Sequence, residues 1–332
     1  MGKKFKALVV EEQPDGTFSR SIQERDTDSL PQGEVLIRVE YSSLNYKDAL
    51  SASGHKGVTR NYPHTPGIDA AGYVEESTDR RFREGDPVLV TGYDLGQNTS
   101  GGFGQYIRVP ADWVIPISGK LTPETAMFYG TAGFTAALGV HKVITHGIRP
   151  ENGRVLVTGA SGGVGSLGVA LFAHLGYDVI ASTGKKEAHE MLKNLGAAEI
   201  WSREQVQADE RKHMLPGRWS AALDTVGGDT LSTVIRGTKL HGVVTCCGNV
   251  SDVFFKTSIF PFILRGIELV GIDSANQDRP IREILWTHLG SDWFVEKIKD
   301  IVTIVSLEAL EEKIQQILKG RIMGRVVVKL WD

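Results

Sequence analysis

The sequence predicts an α/β fold in which a doubly wound parallel sheet is inserted into a mainly β domain. Short strand-like runs separated by Gly, Pro and Asp fill residues 6–117, which is typical of a β domain. Strand-like and helix-like runs then alternate over 154–272, the pattern of a parallel sheet with helices on both faces. Because 332 residues exceed what one compact core usually supports, we predict two domains, one of 1–122 with 273–332 and one of 123–272.

The strands of the first domain are indicated by apolar runs that turn residues separate. We expect them at 35–39, 70–74, 87–90 and 104–109. From Thr122 the pattern changes, because a Thr cap followed by Pro123 is typical of a helix start. This helical stretch leads into a segment of small residues, 129–137. The chain then returns to the first domain late, through amphipathic helices at 281–289 and 307–319 and a strand at 325–330.

In the inserted domain, short apolar runs rich in β-branched residues predict six strands joined by helices. The strands are expected at 155–158, 179–182, 199–201, 221–224, 242–246 and 268–272. The helices between them include 163–175, 186–195 and 229–235. This alternation predicts a parallel, doubly wound sheet.

A glycine turn between the first of these strands and its helix carries the strongest functional signal. The pattern is Ala160-x-Gly162-x-x-Gly165, the dinucleotide-binding fingerprint with Ala at its first position. Gly162 would let the backbone approach a pyrophosphate, and Gly165 would let the helix pack close to the strand. The N–H groups at the helix start favour phosphate. We therefore predict cofactor contacts from Ser161, Gly162, Gly163 and Val164; the alternative is a strand–helix turn that binds nothing.

Composition and charge narrow the class of protein. The formal net charge of −3 gives no reason to expect nucleic acid or an anionic membrane as a partner. No apolar run is long enough to span a bilayer, and no signal-like run follows the basic N-terminus, so we expect a cytoplasmic protein. The two cysteines, Cys246 and Cys247, are adjacent, which excludes a structural zinc site of four cysteines.

Several motifs narrow the family. They are 43–48 (Ser-Leu-Asn-Tyr-Lys-Asp), 66–72 (Pro-Gly-Ile-Asp-Ala-Ala-Gly), 129–136 (Tyr-Gly-Thr-Ala-Gly-Phe-Thr-Ala), 224–228 (Asp-Thr-Val-Gly-Gly) and 261–266 (Pro-Phe-Ile-Leu-Arg-Gly). Together with the domain order they resemble the medium-chain dehydrogenase/reductase superfamily, and within it the zinc-free quinone-oxidoreductase branch and its acrylyl-CoA reductase group. The resemblance covers essentially the whole chain. It implies a Rossmann sheet inserted in a GroES-like catalytic domain.

The positions that hold catalytic zinc elsewhere in this superfamily carry other residues here. Asn45 stands where the zinc enzymes have Cys, and 67–69 reads Gly-Ile-Asp where they have Gly-His-Glu. We therefore predict no metal site, and we interpret His64 as a loop or surface histidine. Without a Lewis acid to stabilise an alkoxide, alcohol oxidation is disfavoured. Hydride transfer to a polarised C=C or to a quinone is favoured instead.

The cofactor is predicted from the end of the second strand of the inserted domain. An NAD-preferring site usually has an acidic residue there, whereas 181–186 reads Ala-Ser-Thr-Gly-Lys-Lys. Thr183, Gly184 and Lys185 suit a 2′-phosphate, so we predict NADPH, with Arg203 as a further contact. The alternative is that Lys185 simply solvates a helix start.

The resemblance also assigns residues to the nicotinamide side of the cofactor. These are Tyr46, Thr131, Thr135, Cys247, Gly248 and Ile272. The ends of the last two sheet strands, together with the segment of small residues, would let a flat ring lie against the backbone. Ordinary turn chemistry at strand ends is the alternative for the last three.

The catalytic candidates are Asn45, Tyr46 and Asp48. Asn45 would donate a hydrogen bond to an enolate or quinone oxygen, Tyr46 would lie near the nicotinamide, and Asp48 would orient its neighbours. The alternative is a buried helix start with Asn45 as its cap and Asp48 completing the network. Lys56, Arg60 and Arg265 are candidates for the phosphates of a CoA substrate.

Three functions therefore remain open. The first is zinc-independent, NADPH-dependent reduction of acrylyl-CoA or a similar enoyl thioester, and the second is NADPH:quinone oxidoreduction. The third is a non-catalytic protein that binds NADPH as a redox signal. The resemblance further implies a homodimer formed through the edge strand of the nucleotide-binding sheet. Five apolar side chains there either form a patch at that interface or belong to the chain's own core: Phe254, Phe255, Ile259, Phe260 and Phe262.

Overall fold

The computed structural model describes residues 2–207 and 211–331, and their contacts divide them into two units. The first unit comprises the chain up to Thr131, Ala275–Phe294 and the chain from Val302 onward. The second comprises Ala132–Ser274 and Val295–Ile301. The domain ranges given above stay a prediction; by contacts, 123–131 belong to the first unit and 295–301 to the second.

The elements follow the chain in an order that alternates strands and helices in its middle part. The strands are β1 (Lys4–Glu12), β2 (Phe18–Asp26), β3 (Val35–Ser43), β4 (Asp69–Ser77), β5 (Pro87–Thr91), β6 (Tyr106–Val109), β7 (Ile115–Pro116), β8 (Val155–Val157), β9 (Val179–Ser182), β10 (Glu199–Trp201), β11 (Trp219–Asp224), β12 (Thr238–Cys246), β13 (Glu268–Gly271), β14 (Val302–Ser306) and β15 (Arg325–Lys329). The α-helices are α1 (Tyr46–Ala52), α2 (Pro123–Thr145), α3 (Gly163–His174), α4 (His189–Asn194), α5 (Arg203–Val206), α6 (Gly228–Arg236), α7 (Phe260–Arg265), α8 (Arg279–Leu289) and α9 (Leu310–Leu318). Short 3₁₀ turns lie at Thr27–Ser29, Ala111–Trp113, Pro150–Asn152, Lys186–Ala188 and Glu296–Ile301.

The second unit is built on a parallel sheet, as the sequence predicts. Its strand order is β10-β9-β8-β11-β12-β13, and every neighbouring pair is parallel. β8, β9 and β11 are buried along their whole length, which explains why they read as continuous apolar runs. The order reverses between β8 and β11, and sheets of this kind bind ligands beyond the carboxyl ends of the strands at that point.

The first unit contains a seven-stranded sheet and a separate hairpin. The sheet runs β14-β15-β3-β4-β5-β7, with β6 also paired to β3, and β1 pairs with β2. The carboxyl end of β3 pairs with β15, because Val327 and Val328 lie opposite Ser43 and Ser42. A strand from the last part of the chain therefore lies beside the residues that lead into α1.

Some element boundaries differ from the sequence prediction. The predicted helix 186–195 is a 3₁₀ turn followed by α4, and the last helix begins at Leu310 and not at 307. The sequence predicts the segment of small residues after a helix, but it lies within α2. The helix is interrupted in this segment at Gly130, where φ is 51° and ψ is −155°. Among the described residues, no helix has both the length and the apolar composition needed to cross a membrane.

Candidate active site

The glycine turn after β8 leads directly into α3. Gly162 is the N-cap with extended φ and ψ, and the first N–H groups of α3 have no partner within the helix. A Cβ on Gly165 would lie 2.3 Å from the Gly159 carbonyl oxygen and 2.8 Å from Ala160 Cα. Only glycine fits at this point, because the turn of α3 touches the backbone of the preceding loop. The turn has the geometry of a phosphate-binding site, with Ser161, Gly162, Gly163 and Val164 at the helix start.

The residues predicted to select the cofactor lie together beyond β9. Thr183 is buried and donates to Ser161 Oγ at 3.0 Å, and its own Oγ1 accepts from the Lys185 backbone N–H at 3.1 Å. A Cβ on Gly184 would lie 2.8 Å from Arg203 Nε, so the guanidinium packs over that glycine. Burial lowers the pKa of Lys185, the charge of Glu187 opposes this effect, and the charge of Arg203 adds to it. The two cations at this strand end favour the binding of an anion there.

The strand ends at the centre of the parallel sheet are closely packed. The Cys247 backbone N–H donates to the Asp224 carbonyl at 3.0 Å, and a Cβ on Gly248 would lie 2.1 Å from the Thr225 carbonyl oxygen. Burial raises the pKa of the Cys247 thiol to about 12, so it is a neutral thiol and not a nucleophile at neutral pH. The Ile272 N–H donates to the Cys246 carbonyl at 2.9 Å.

Thr135 lies in the part of α2 that belongs to the second unit. Its hydroxyl donates to Ser274 Oγ at 2.7 Å. Thr135 is thereby fixed beside the residues that follow β13.

At the start of α1, the three catalytic candidates differ in exposure. Tyr46 is 55% exposed, whereas Asp48 is fully buried. Asp48 Oδ2 accepts from the Asn45 N–H at 2.7 Å, and Oδ1 accepts from the Ile68 N–H at 2.8 Å. Burial, together with the charge of Asp69, raises the pKa of Asp48 to about 7. This geometry favours the alternative given above for Asp48, a structural role that fixes the helix start.

The Asn45 side chain is hydrogen-bonded to neighbouring groups of the protein. Nδ2 lies 2.7 Å from Asp69 Oδ2 and 3.3 Å from the Ser43 carbonyl oxygen, and Oδ1 accepts from Arg325 Nη1 at 3.3 Å. Both amide hydrogens are therefore directed at groups of the protein. Asn45 could donate to a substrate oxygen only by breaking one of these bonds, so its predicted role as a donor stays a prediction that the geometry does not favour.

Asp69 connects these candidates. Its carboxylate also accepts from Ser43 Oγ at 2.5 Å, from the Thr131 N–H at 2.9 Å and from Thr131 Oγ1 at 2.5 Å. Arg325 Nη2 lies 4.0 Å from Asp69 Oδ2 and donates to Ser43 Oγ at 2.7 Å. Asp69 is 0% and Arg325 3% exposed, so this is a buried ion pair with its polar atoms satisfied. We call Ser43, Asn45, Asp69, Thr131 and Arg325 the Asp69 network.

The Asp69 network does not suit zinc. Of the three replaced positions, Ile68 offers no ligand atom. The Asn45 amide oxygen already accepts from Arg325, and the Asp69 carboxylate already accepts from Asn45 and Thr131. A guanidinium lies beside them, and its charge opposes a cation. Within the described part of the chain, no group of three or more His, Cys, Asp or Glu side chains could hold a metal ion.

Sequence reasoning missed Arg325 and the role of Asp69. The available signal was a charged residue at the head of an otherwise apolar strand, Arg325 before three valines. Two other interpretations are corrected. His64 is in a loop but not at the surface, being 7% exposed, and burial lowers its pKa. Arg265 donates to backbone carbonyls of Leu215, Arg236 and Thr238, so its guanidinium serves the fold and not a CoA phosphate.

Comparison with known proteins places this geometry in a family. The family model described as the alcohol dehydrogenase GroES-like domain matches residues 31–119, and the one described as zinc-binding dehydrogenase matches 163–287. Among curated proteins, "Putative quinone oxidoreductase YhfP" of Bacillus subtilis is 43% identical over 99% of this chain and 100% of its own length. "Acrylyl-CoA reductase AcuI" of Ruegeria pomeroyi is 40% identical over 98% of each.

Two solved structures closely resemble the fold of this chain. The yhdH oxidoreductase of Salmonella enterica, in complex with NADP, matches with a TM-score of 0.95 and 40% identity, covering 98% of this chain and 100% of that one. The structure of Bacillus subtilis yhfP, with NAD bound, matches with a TM-score of 0.96 and 43% identity over 99% of this chain and 100% of that one.

Proposed function

The chain belongs to the medium-chain dehydrogenase/reductase superfamily, in the group of YhfP and AcuI, and on this premise we propose that it is an NADPH-dependent reductase of acrylyl-CoA or a similar enoyl thioester. The observation that carries the proposal is 40% identity to an acrylyl-CoA reductase along essentially the full length of both chains. The replacement of zinc-ligand positions by the Asp69 network supports an acceptor that stabilises its own developing charge.

The second unit offers the residues that would hold NADPH. The start of α3 would bind the pyrophosphate, and Thr183, Lys185 and Arg203 would bind the 2′-phosphate. Glycines at 165 and 248, where a Cβ would meet protein backbone at 2.3 and 2.1 Å, let α3 and the strand ends pack closely around this site. When bound, NADPH supplies the hydride.

The residues of α1 would bind and orient the substrate. An enolate formed on the enoyl thioester would need hydrogen-bond donors from the protein. Asn45 has both amide hydrogens committed, whereas the Tyr46 side chain is 55% exposed. We propose Tyr46 as the donor from α1, with the α-carbon proton supplied by Tyr46 or water. The buried Asp48 would take no direct part.

The cofactor preference makes a first prediction. We expect Lys185→Ala to raise KM for NADPH about tenfold or more and to leave KM for NADH nearly unchanged, because a charge-assisted bond to the 2′-phosphate is lost. Lys186→Ala is the matched control, since Lys186 is the exposed neighbour. Steady-state kinetics with both nucleotides measure the effect. An equal loss with NADH, or an equal effect of the control, would contradict the assignment.

The acceptor makes the second prediction. We expect NADPH oxidation, followed by absorbance, to be at least tenfold more efficient with acrylyl-CoA than with benzoquinone. The quinone reductase function stays the second candidate because of the likeness to YhfP, and turnover of quinone alone would establish it. Saturable NADPH binding without oxidation by either acceptor would support the non-catalytic alternative.

We also propose a homodimer in the cytoplasm. Phe254 is 81%, Ile259 62% and Phe260 41% exposed. Phe260 is the first residue of α7, which precedes the edge strand β13. Phe262, by contrast, packs against the core of the second unit and leaves the patch. Exposed apolar surface of this kind marks interfaces. Sedimentation equilibrium measures the mass, and a monomer at micromolar concentration would contradict the dimer.

A further inference from the structure

We propose that Asp69 is a positioning residue, which holds the start of α1, through the Asn45 amide, and the Thr131 backbone in the orientation that hydride transfer requires. The inference rests on the proposed function, since Asn45 and Thr131 begin the two segments that the sequence assigns to the reacting end of the cofactor. It extends that function to a residue to which the sequence analysis assigns no role.

The contacts of Asp69 reach both segments. One carboxylate receives the Asn45 amide at 2.7 Å and both the N–H and the hydroxyl of Thr131, at 2.9 and 2.5 Å. Asn45 is the residue before α1, and Thr131 follows the break in α2. A single side chain therefore fixes the starts of two helical segments that are far apart in sequence.

The break at Gly130 explains how Thr131 can reach Asp69. Its φ of 51° and ψ of −155° interrupt α2, so the N–H of Thr131 is available to a partner outside the helix. A carboxylate at the N-terminal end of a helical segment is also stabilised by the helix dipole. Asp69 thus acts as the cap of the segment that begins at Thr131.

Arg325 balances the charge that this arrangement buries. Its guanidinium lies 4.0 Å from Asp69 and donates to Ser43 Oγ, which in turn donates to Asp69. Asp48, the other buried carboxyl group nearby, faces the backbone N–H groups of Asn45 and Ile68 and not these donors. Because Asp69 is 0% exposed and surrounded by protein donors, it acts through Asn45 and Thr131 and does not touch the substrate itself.

The chemistry of the network predicts what loss of the charge would do. A carboxylate accepts from all four neutral donors, whereas an asparagine at 69 offers one oxygen and places an NH₂ group against N–H or O–H groups. Asn45 or Thr131 must then turn away. The side-chain volume hardly changes, so the effect reports orientation more than packing.

The test compares Asp69→Asn with Asp86→Asn. Asp86→Asn makes the same change outside the Asp69 network, in a turn where Asp86 Oδ2 accepts from the Arg83 N–H at 2.7 Å. We expect Asp69→Asn to lower kcat by about 10- to 100-fold with KM for NADPH within about threefold, and to increase the primary isotope effect with C4-deuterated NADPH. We expect Asp86→Asn to leave kcat within about threefold of wild type. Wild-type kcat and isotope effect in folded Asp69→Asn would overturn the proposal.

A second pair of variants covers the case in which Asp69→Asn does not fold. Thr131→Val removes the hydroxyl that donates to Asp69, and Thr131→Ser restores it. We expect kcat to fall about tenfold in Thr131→Val and to return to near the wild-type value in Thr131→Ser. Equal kcat in Thr131→Val and Thr131→Ser would overturn the proposal.

Fluorescence of bound NADPH separates this inference from the proposed function. The nicotinamide emission reports the environment of the ring and needs no acceptor. If the wild-type protein turns over neither acrylyl-CoA nor benzoquinone, the proposed function fails. The positioning role still stands if Asp69→Asn or Thr131→Val shifts the bound emission, and it fails if both variants give the wild-type emission.

Discussion

Gly130→Ala is expected to destabilise the protein by about 3 kcal/mol or more, because two independent penalties coincide. The backbone conformation at Gly130, with φ of 51° and ψ of −155°, is one that residues other than glycine rarely adopt. The new Cβ would also lie 2.4 Å from Ser43 Oγ, 2.5 Å from Asp69 Oδ2 and 2.9 Å from Arg325 Nη2. These atoms are buried and mutually bonded, so none can move without breaking the Asp69 network.

Calorimetry measures the effect as a fall in Tm of about 4 °C or more. The control is Gly85→Ala, because Gly85 has a φ of +84° with nothing within 4 Å of a new Cβ. It reports backbone strain without the clash, and we expect about 1 kcal/mol. A loss in Gly130→Ala no larger than in Gly85→Ala would mean that the network is not rigid.

Arg325→Met is expected to cost about 3–5 kcal/mol, since it leaves a buried carboxylate without its cation. Arg325 is 3% exposed and donates to Ser43 Oγ and to the carbonyl of Phe128 as well as facing Asp69. Methionine fills much of the same volume but carries no charge and donates no side-chain hydrogen bond. Arg81→Met is the control, because Arg81 pairs with Asp79 at the surface, where such pairs contribute about 0–1 kcal/mol.

The deficit of Arg325→Met should depend on pH. Burial raises the pKa of Asp48 to about 7, so the stability that protonated Asp48 contributes is fully present below its unfolded pKa of 3.8 and is lost as pH rises through about 7. Arg325 interacts with the charge of Asp48. Without the positive charge of Arg325, the ionised form of Asp48 is less favourable in the folded protein. We therefore expect the stability lost in Arg325→Met, relative to wild type, to grow between pH 6 and pH 8. Denaturant titrations at both pH values measure it, and a constant deficit would contradict the coupling.

The parallel sheet could be predicted from sequence because its signal is local. Each of its strands contains a short apolar run, and each run is followed by a helix or turn pattern within a few residues. The sequence did not predict that β12 begins at Thr238, because polar residues precede its apolar run at 242–246. The glycine at 165 was also identifiable, since close packing of a helix on the preceding loop demands one residue type at one spacing.

The Asp69 network could not be predicted, because it brings together residues 43, 45, 69, 131 and 325, which share no periodicity. For the same reason Asn45 was assigned as a free donor: its partners lie on β4 and β15. The helix-cap role of Asp48 was foreseeable as an alternative, since its contact with Asn45 is local, whereas its contact with Ile68 is not.

The late position of β15 has a consequence for biosynthesis. Ala132–Ser274, most of the second unit, emerges from the ribosome as one continuous stretch, so its sheet can form while later residues are still being added. The seven-stranded sheet can be completed only after β15 has been synthesised, because β15 pairs with β3, which is far away in sequence. Until Arg325 is synthesised, Asp69 has no buried cation beside it. The nascent chain therefore acquires a nucleotide-binding sheet before it acquires the arrangement proposed to orient the reaction.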